Sequence, residues 1–209
     1  MVRVKICGIT NINDAKNAVF FGADALGFVF AESPRKISKE TARSIIKELP
    51  PFVTCVGLFV DEDVDIVKEV CRFCKIHTVQ FHGNETPDYL ECFPEFKIIK
   101  AFRIRDKSDL LKVDSYHADA YLLDSFSKEK MGGTGLCFDW NILKTAKDSN
   151  SNSIKFQNII IAGGLNPGNV AEAIHLTNPY GVDTSSGVEI TPGVKDKNLI
   201  KRFINTAKQ

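Results

Sequence analysis

Short apolar runs alternate with longer amphipathic stretches along the whole chain. The runs at 3–8, 24–30, 53–60, 77–82, 97–102, 119–124, 157–162 and 180–184 have the length and residue content of buried strands. Between them, 12–22, 38–48, 62–75, 86–93, 106–113, 139–147, 167–177 and 196–207 carry apolar residues at helical spacing. Several of these helices have a capping residue at their start: Asn11 ahead of Asn13 and Asp14, Ser38 ahead of Lys39 and Glu40, and Asn166 ahead of Pro167. Eight alternations in 209 residues predict an α/β fold of repeated βα units, a small (β/α)₈ TIM barrel forming one domain over 1–209. A doubly wound open sheet is the rival. It would show fewer strands and often a Gly-rich phosphate loop after the first, whereas Cys7-Gly8-Ile9-Thr10 stands here. The polar stretch 148–157 reads as a surface loop on the face opposite the site.

Composition narrows the function. The chain is 44% hydrophobic and 25% charged, with a net charge of +1 and basic residues spread along its length. No global field favours nucleic acid or an acidic membrane surface, so neither is expected as a partner. No apolar run approaches the ~18 residues of a membrane span. The alternating segment from Met1 to Ile6 lacks the apolar stretch of a signal peptide, and a cytoplasmic protein is expected. The six cysteines, Cys7, Cys55, Cys71, Cys74, Cys92 and Cys137, are too irregularly spaced for a disulfide framework. Cys71 and Cys74 have the spacing of a metal half-site. They lie in a helical pattern with Val64, Val67 and Val70, without a second such pair, and are read as core residues.

A barrel carries its active site at the C-terminal ends of its strands. Those ends hold Cys7-Gly8, Ser33-Pro34-Arg35, His82-Gly83, Asp124-Ser125, Gly163-Gly164-Leu165-Asn166 and Asp183-Thr184-Ser185-Ser186-Gly187. Packing does not require this set. On the first strand Arg3, Lys5 and Cys7 share one face and Val4 and Ile6 the other. If Val4 and Ile6 meet the helices, Cys7 points into the barrel mouth with Lys5 below it. A buried Lys5 needs a carboxylate partner, and its charge would help lower the Cys7 thiol pKa. Cys7 is otherwise a small buried residue. Asp124 closes an apolar strand either as a turn cap or as an acid that retains its proton. The Gly163-Gly164 and Ser185-Ser186 turns offer backbone N–H groups suited to a phosphate. Gly132 to Gly135 form a lid, another phosphate contact or a plain flexible loop. His82 reads as structural, and His77, His117 and His175 give no reason to invoke chemistry. No motif signals a metal or a redox cofactor.

The segment Val4-Lys5-Ile6-Cys7-Gly8-Ile9-Thr10 resembles the opening of phosphoribosylanthranilate isomerases. The similarity continues through Gly22 to Phe30, Ser33-Pro34-Arg35, Val79 to Gly83, Leu122-Leu123-Asp124, Gly132 to Gly135, Phe138-Asp139-Trp140, Ala162 to Pro167, Val182 to Glu189 and Pro192 to Asp196. The resemblance implies an Amadori rearrangement of a small phosphorylated substrate in tryptophan biosynthesis, with no cofactor or metal, by a monomer or homodimer. It also implies Cys7 as base, Asp124 as acid and Arg35 toward the anthranilate carboxylate. Gly163, Gly164, Ser185 and Ser186 would take the phosphate, with Asp183 supporting the site. Two alternatives compete. The analogous isomerase of histidine biosynthesis tends to use two aspartates, against Cys7 with a single Asp124 here. A non-catalytic barrel predicts decay at Cys7, Asp124 or Arg35, and all three stand.

Overall fold

The computed structural model describes residues 1–125, 140 and 158–209. Eight parallel strands close into a barrel in chain order: β1 (Arg3–Cys7), β2 (Ala25–Val29), β3 (Thr54–Phe59), β4 (Thr78–Phe81), β5 (Lys97–Ile104), β6 (Ala120–Ser125), β7 (Ile159–Ala162) and β8 (Gly181–Thr184). Closure is direct, since Arg3 to Ile6 of β1 pair with Gly181 to Thr184 of β8. Around the barrel run α1 (Ile12–Phe21), α2 (Lys39–Lys47), α3 (Val64–Cys74), α4 (Pro87–Glu91), α5 (Lys107–Leu111), α6 (Val170–Thr177) and α7 (Lys197–Lys208). The sequence-predicted helix 139–147 (apart from residue 140), the loop 148–157 and Gly132 to Gly135 lie outside the described residues.

Side-chain alternation sorts the strands into two apolar layers. Val4 and Ile6 face outward and join Leu26, Phe28, Phe81, Leu123 and Val182 against the helices. Val56, Ile99, Ala101, Ala120, Leu122, Ile160 and Ala162 fill the interior. The expected caps at Asn11 and Ser38 form: each side chain accepts a backbone N–H three residues on. The start of α6 differs from expectation. Asn166 Oδ1 accepts the Gly168 N–H and Asn169 Oδ1 accepts the Asn166 N–H, so a turn precedes the helix, which begins at Val170. Cys71 and Cys74 sit buried in α3, where the Cys74 thiol donates to the Lys39 carbonyl and burial pushes the Cys71 thiol up to about 12. Among the described residues no helix is long and apolar enough to cross a membrane.

One element was not expected. After β8 and a 3₁₀ turn (Ser186–Val188), an antiparallel hairpin of β9 (Glu189–Thr191) and β10 (Val194–Lys195) folds back before α7. It is anchored at both ends: Thr10 donates to the Gly193 carbonyl, and Asp14 Oδ2 accepts the Lys195 N–H at 2.8 Å.

Candidate active site

Strand parity turns Lys5 and Cys7 into the barrel mouth, and both are buried. Lys5 Nζ donates to Asp183 Oδ1 at 2.9 Å, which supplies the carboxylate that a buried lysine needs. Burial alone would lower the Lys5 pKa, but Asp183 and Cys7 together outweigh it and hold it above the ordinary value. Cys7 behaves otherwise. Burial pushes its thiol up, and the charges of Lys5 and Lys195 pull it down without overcoming burial. The expected Lys5 effect therefore has the right sign but loses to desolvation. Space for the thiol comes from Gly27 on β2, where a Cβ would stand 2.7 Å from Cys7 Sγ and 3.2 Å from Lys5 Cε.

Arg35 arrives from the loop after β2. Its Nε and Nη2 donate to the two carboxylate oxygens of Glu189 at 2.8 and 2.6 Å, a paired contact. Glu189 Oε1 also accepts from Lys195 Nζ at 2.8 Å, and Lys195 Nζ donates to the Ser185 carbonyl at 3.1 Å and to Ser185 Oγ at 3.3 Å. Burial would raise the Glu189 pKa, but the hydrogen bonds from Arg35 and Lys195 hold it down to about 2. Gly8 makes room for this chain of contacts: its φ is +75°, and a Cβ would meet Arg35 Cδ at 2.6 Å. Set against Asp183 and Glu189, the cations Lys5, Arg35 and Lys195 leave one positive charge near Cys7. A thiolate or a bound anion would balance it. The sequence expected no part for Glu189 or Lys195.

Across the mouth, Asp124 ends β6 half-buried. Its Oδ2 lies 3.2 Å from His82 Nε2, just beyond the end of β4. Gln80 Nε2 lies 3.1 Å from His82 Nδ1, on the side of the ring away from Asp124. Sequence reasoning read His82 as structural, and the structure sets it against Asp124. Gln80 is fully buried, and its Oε1 has no partner among the described residues. Next to His82 the loop is rigidly held: Glu85 accepts the Gly83 and Asp61 N–H groups and pairs with the buried Lys100 at 2.7 Å.

The two turns suited to phosphate lie side by side. Gly163 and Gly164 both have positive φ, +88° and +68°, and among the described residues nothing stands within 4 Å of a Cβ placed on Gly164. Thr184 Oγ1 donates to the Leu165 carbonyl at 2.7 Å, which fixes the β8 turn carrying Ser185 and Ser186 against the β7 turn. The structure thus brings Cys7, Asp183, Arg35 and Ser185 into one network, and sets Asp124 with His82 apart from it. Among the described residues no three His, Cys, Asp or Glu side chains come together as a metal would require.

Residues 4–206 match the family model for N-(5'phosphoribosyl)anthranilate (PRA) isomerase. The N-(5'-phosphoribosyl)anthranilate isomerase of Geobacter metallireducens is 49% identical over 209 residues, covering 100% of both chains. Phosphoribosylanthranilate isomerase from Thermotoga maritima superposes with a TM-score of 0.89 at 42% identity, over 100% of this chain and 99% of that one. A crystal structure of the enzyme in complex with reduced 1-(o-carboxyphenylamino)-1-deoxyribulose 5-phosphate gives a TM-score of 0.86 at 41% identity, with the same coverage. A monomeric form of the dimeric T. maritima enzyme gives 0.85 at 39%, again covering 100% and 99%. Near half identity along the full length, on the same closed barrel, leaves one assignment: the chain belongs to the N-(5'-phosphoribosyl)anthranilate isomerase family.

Proposed function

We propose that the chain carries out its family's reaction, the isomerisation of N-(5'-phosphoribosyl)anthranilate to 1-(2-carboxyphenylamino)-1-deoxyribulose 5-phosphate in tryptophan biosynthesis, with Cys7 as general base and Asp124 as general acid. Asp124 gives a proton to the furanose ring oxygen as the C1–O bond breaks and the anthranilate nitrogen lone pair forms C1=N. Cys7, as thiolate, removes the C2 proton, and the electrons left behind form C1=C2 as the nitrogen recovers its lone pair. The resulting enol amine becomes the C2 ketone when a proton is added at C1 and the enol O–H proton is lost. Atoms and electrons balance by proton transfer alone.

The observation that carries this reading is the pairing of unlike environments at two ends of one barrel mouth. Cys7 is pushed toward the thiol by burial but lies beside Lys5 and Lys195, whose charges pull toward the thiolate, while Asp124 faces His82 Nε2, a donor for the carboxylate it becomes. Arg35 would meet the anthranilate carboxylate, the Gly163-Gly164 and Ser185-Ser186 turns would hold the phosphate, and Asp183 keeps Lys5 beside Cys7. The expected test is direct. Cys7→Ser and Asp124→Asn are near-isosteric, and each should lower turnover by at least about 10²-fold, followed by loss of substrate fluorescence. Both should melt cooperatively near the wild-type temperature. Near-normal turnover in either folded variant removes that residue from the mechanism.

A second reading concerns assembly. On the barrel face opposite the site, Phe52 is 96% exposed after Pro50-Pro51, at the rim of a cavity of about 490 Å³ that Tyr180 also lines. An exposed aromatic beside a hollow is costly to leave in water, and we propose that this face joins two copies in a homodimer.

A further inference from the structure

We propose that Glu189 is a positioning residue that turns the end-on edge of Arg35 toward the substrate and ties it to the phosphate turn of β8. This rests on the reading that Arg35 receives the anthranilate carboxylate. A guanidinium has five N–H donors in one plane. Glu189 takes the side-on edge, Nε with Nη2, at 2.8 and 2.6 Å. The paired donors that remain are on the Nη1–Nη2 edge, so a substrate carboxylate meets Arg35 end-on. Glu189 is fixed in turn: its side chain is 5% exposed and its Oε1 accepts the Gly193 N–H at 3.2 Å and Lys195 Nζ at 2.8 Å.

Lys195 carries the link onward. Its side chain is fully buried, and Nζ holds both the carbonyl and the hydroxyl of Ser185. Arg35, Glu189, Lys195 and Ser185 therefore form one continuous chain of charge-assisted contacts between two sites, one for the carboxylate end of a substrate and one for its phosphate end. A ligand with both groups at the right separation engages the chain at each end, which makes the network a gauge of their spacing. Hydrogen-bond geometry here acts against simple electrostatics. Removing the Glu189 charge by itself would strengthen the binding of any anion, whereas loss of positioning would weaken recognition of the carboxylate.

That opposition of sign supplies the test. Binding of reduced 1-(o-carboxyphenylamino)-1-deoxyribulose 5-phosphate is compared with that of the same compound lacking the ring carboxylate, and the ratio of the two affinities measures carboxylate recognition. Arg35→Met is expected to bring the ratio close to one. Glu189→Gln is expected to lower it by at least about tenfold, the scale of one charge-assisted hydrogen bond. A ratio unchanged or increased in Glu189→Gln, with Arg35→Met collapsing it, overturns the positioning role alone. An unchanged ratio in Arg35→Met overturns the carboxylate reading and this inference with it. The wild-type protein gives a check that needs no variant. The Arg35 Nε–H resonance is expected to exchange slowly with water and to persist when the carboxylated ligand is added, because Glu189 keeps that edge. Its loss on ligand addition would mean that the ligand displaces Glu189, contrary to the inference.

Discussion

Three effects compete for the proton on Cys7. Burial disfavours the thiolate, Lys5 and Lys195 favour it, and Asp183 disfavours it again while holding Lys5 in place. The balance lies on the thiol side, so in the free enzyme Cys7 stays protonated to a higher pH than an exposed cysteine. Only the thiolate is alkylated, and its fraction grows about tenfold per pH unit below the pKa. Alkylation of Cys7, followed by mass spectrometry, is therefore expected to climb beyond the pH at which a free thiol in solution levels off. Lys5→Met removes a downward pull and should move that limb to still higher pH. A Cys7 limb that levels near neutrality would show that the cations outweigh burial. At this scale the sequence was partly legible. Period-two alternation put Lys5 and Cys7 on one face and demanded a carboxylate, which proves to be Asp183, 178 residues away. It could not weigh burial against charge, because that balance depends on atoms brought in from β2, β8 and β10.

Elements differ in how much of themselves they write locally. The eight strands were readable because buried parallel strands are short and largely apolar, and the helices by their apolar spacing, with the caps Asn11 and Ser38 lying within one turn of two of them. The β9–β10 hairpin was not. Its strands span three and two residues, too few to establish a period, and Thr10, Asp14 and Arg35 stabilise it from more than 150 residues away in sequence. Glu189 was hidden for the same reason, and His82 because a lone histidine carries no signal until Asp124 stands 3.2 Å from it. The β7 and β8 turns were legible through their Gly and Ser residues, and their geometry gives an expected outcome. No described residue crowds Gly164, and Thr184 Oγ1 holds the Leu165 carbonyl, so the β7 turn is fixed against the β8 turn. A crystal grown in sulfate should hold an anion beside Gly164 and Ser185. Gly164→Val should weaken inorganic phosphate binding, both by adding bulk at that turn and by straining a backbone at φ +68°. Phosphate affinity that survives this change in a folded variant would place the anion elsewhere.

At the scale of the whole molecule the two ends of the barrel have separate tasks. The C-terminal end gathers buried charges: Lys5, Asp183 and Lys195 are at most 8% exposed, and the Glu189 side chain is 5% exposed. The opposite end keeps its ion pairs at the rim, Arg3 with Asp24 at 3.1 Å and Lys97 with Asp119 at 2.6 Å, around a hollow floored by Ala25, Val56, Ile99 and Ile160. Phe52 stands over that hollow with almost its whole ring in water. Fully burying a phenylalanine is worth about 1.5–3 kcal/mol, and a two-fold interface uses each such contact twice. Phe52→Glu is therefore expected to convert a dimer of twice the chain mass into a monomer, read by light scattering across a dilution series. Turnover per chain should be little changed, because Phe52 lies on the face remote from Cys7 and Asp124. Thermal stability should fall and lose its dependence on protein concentration, since dissociation no longer accompanies unfolding. A wild-type protein that scatters as a monomer at every concentration would rule out this face as a dimer interface. A Phe52→Glu variant that stays dimeric would move the interface to another surface.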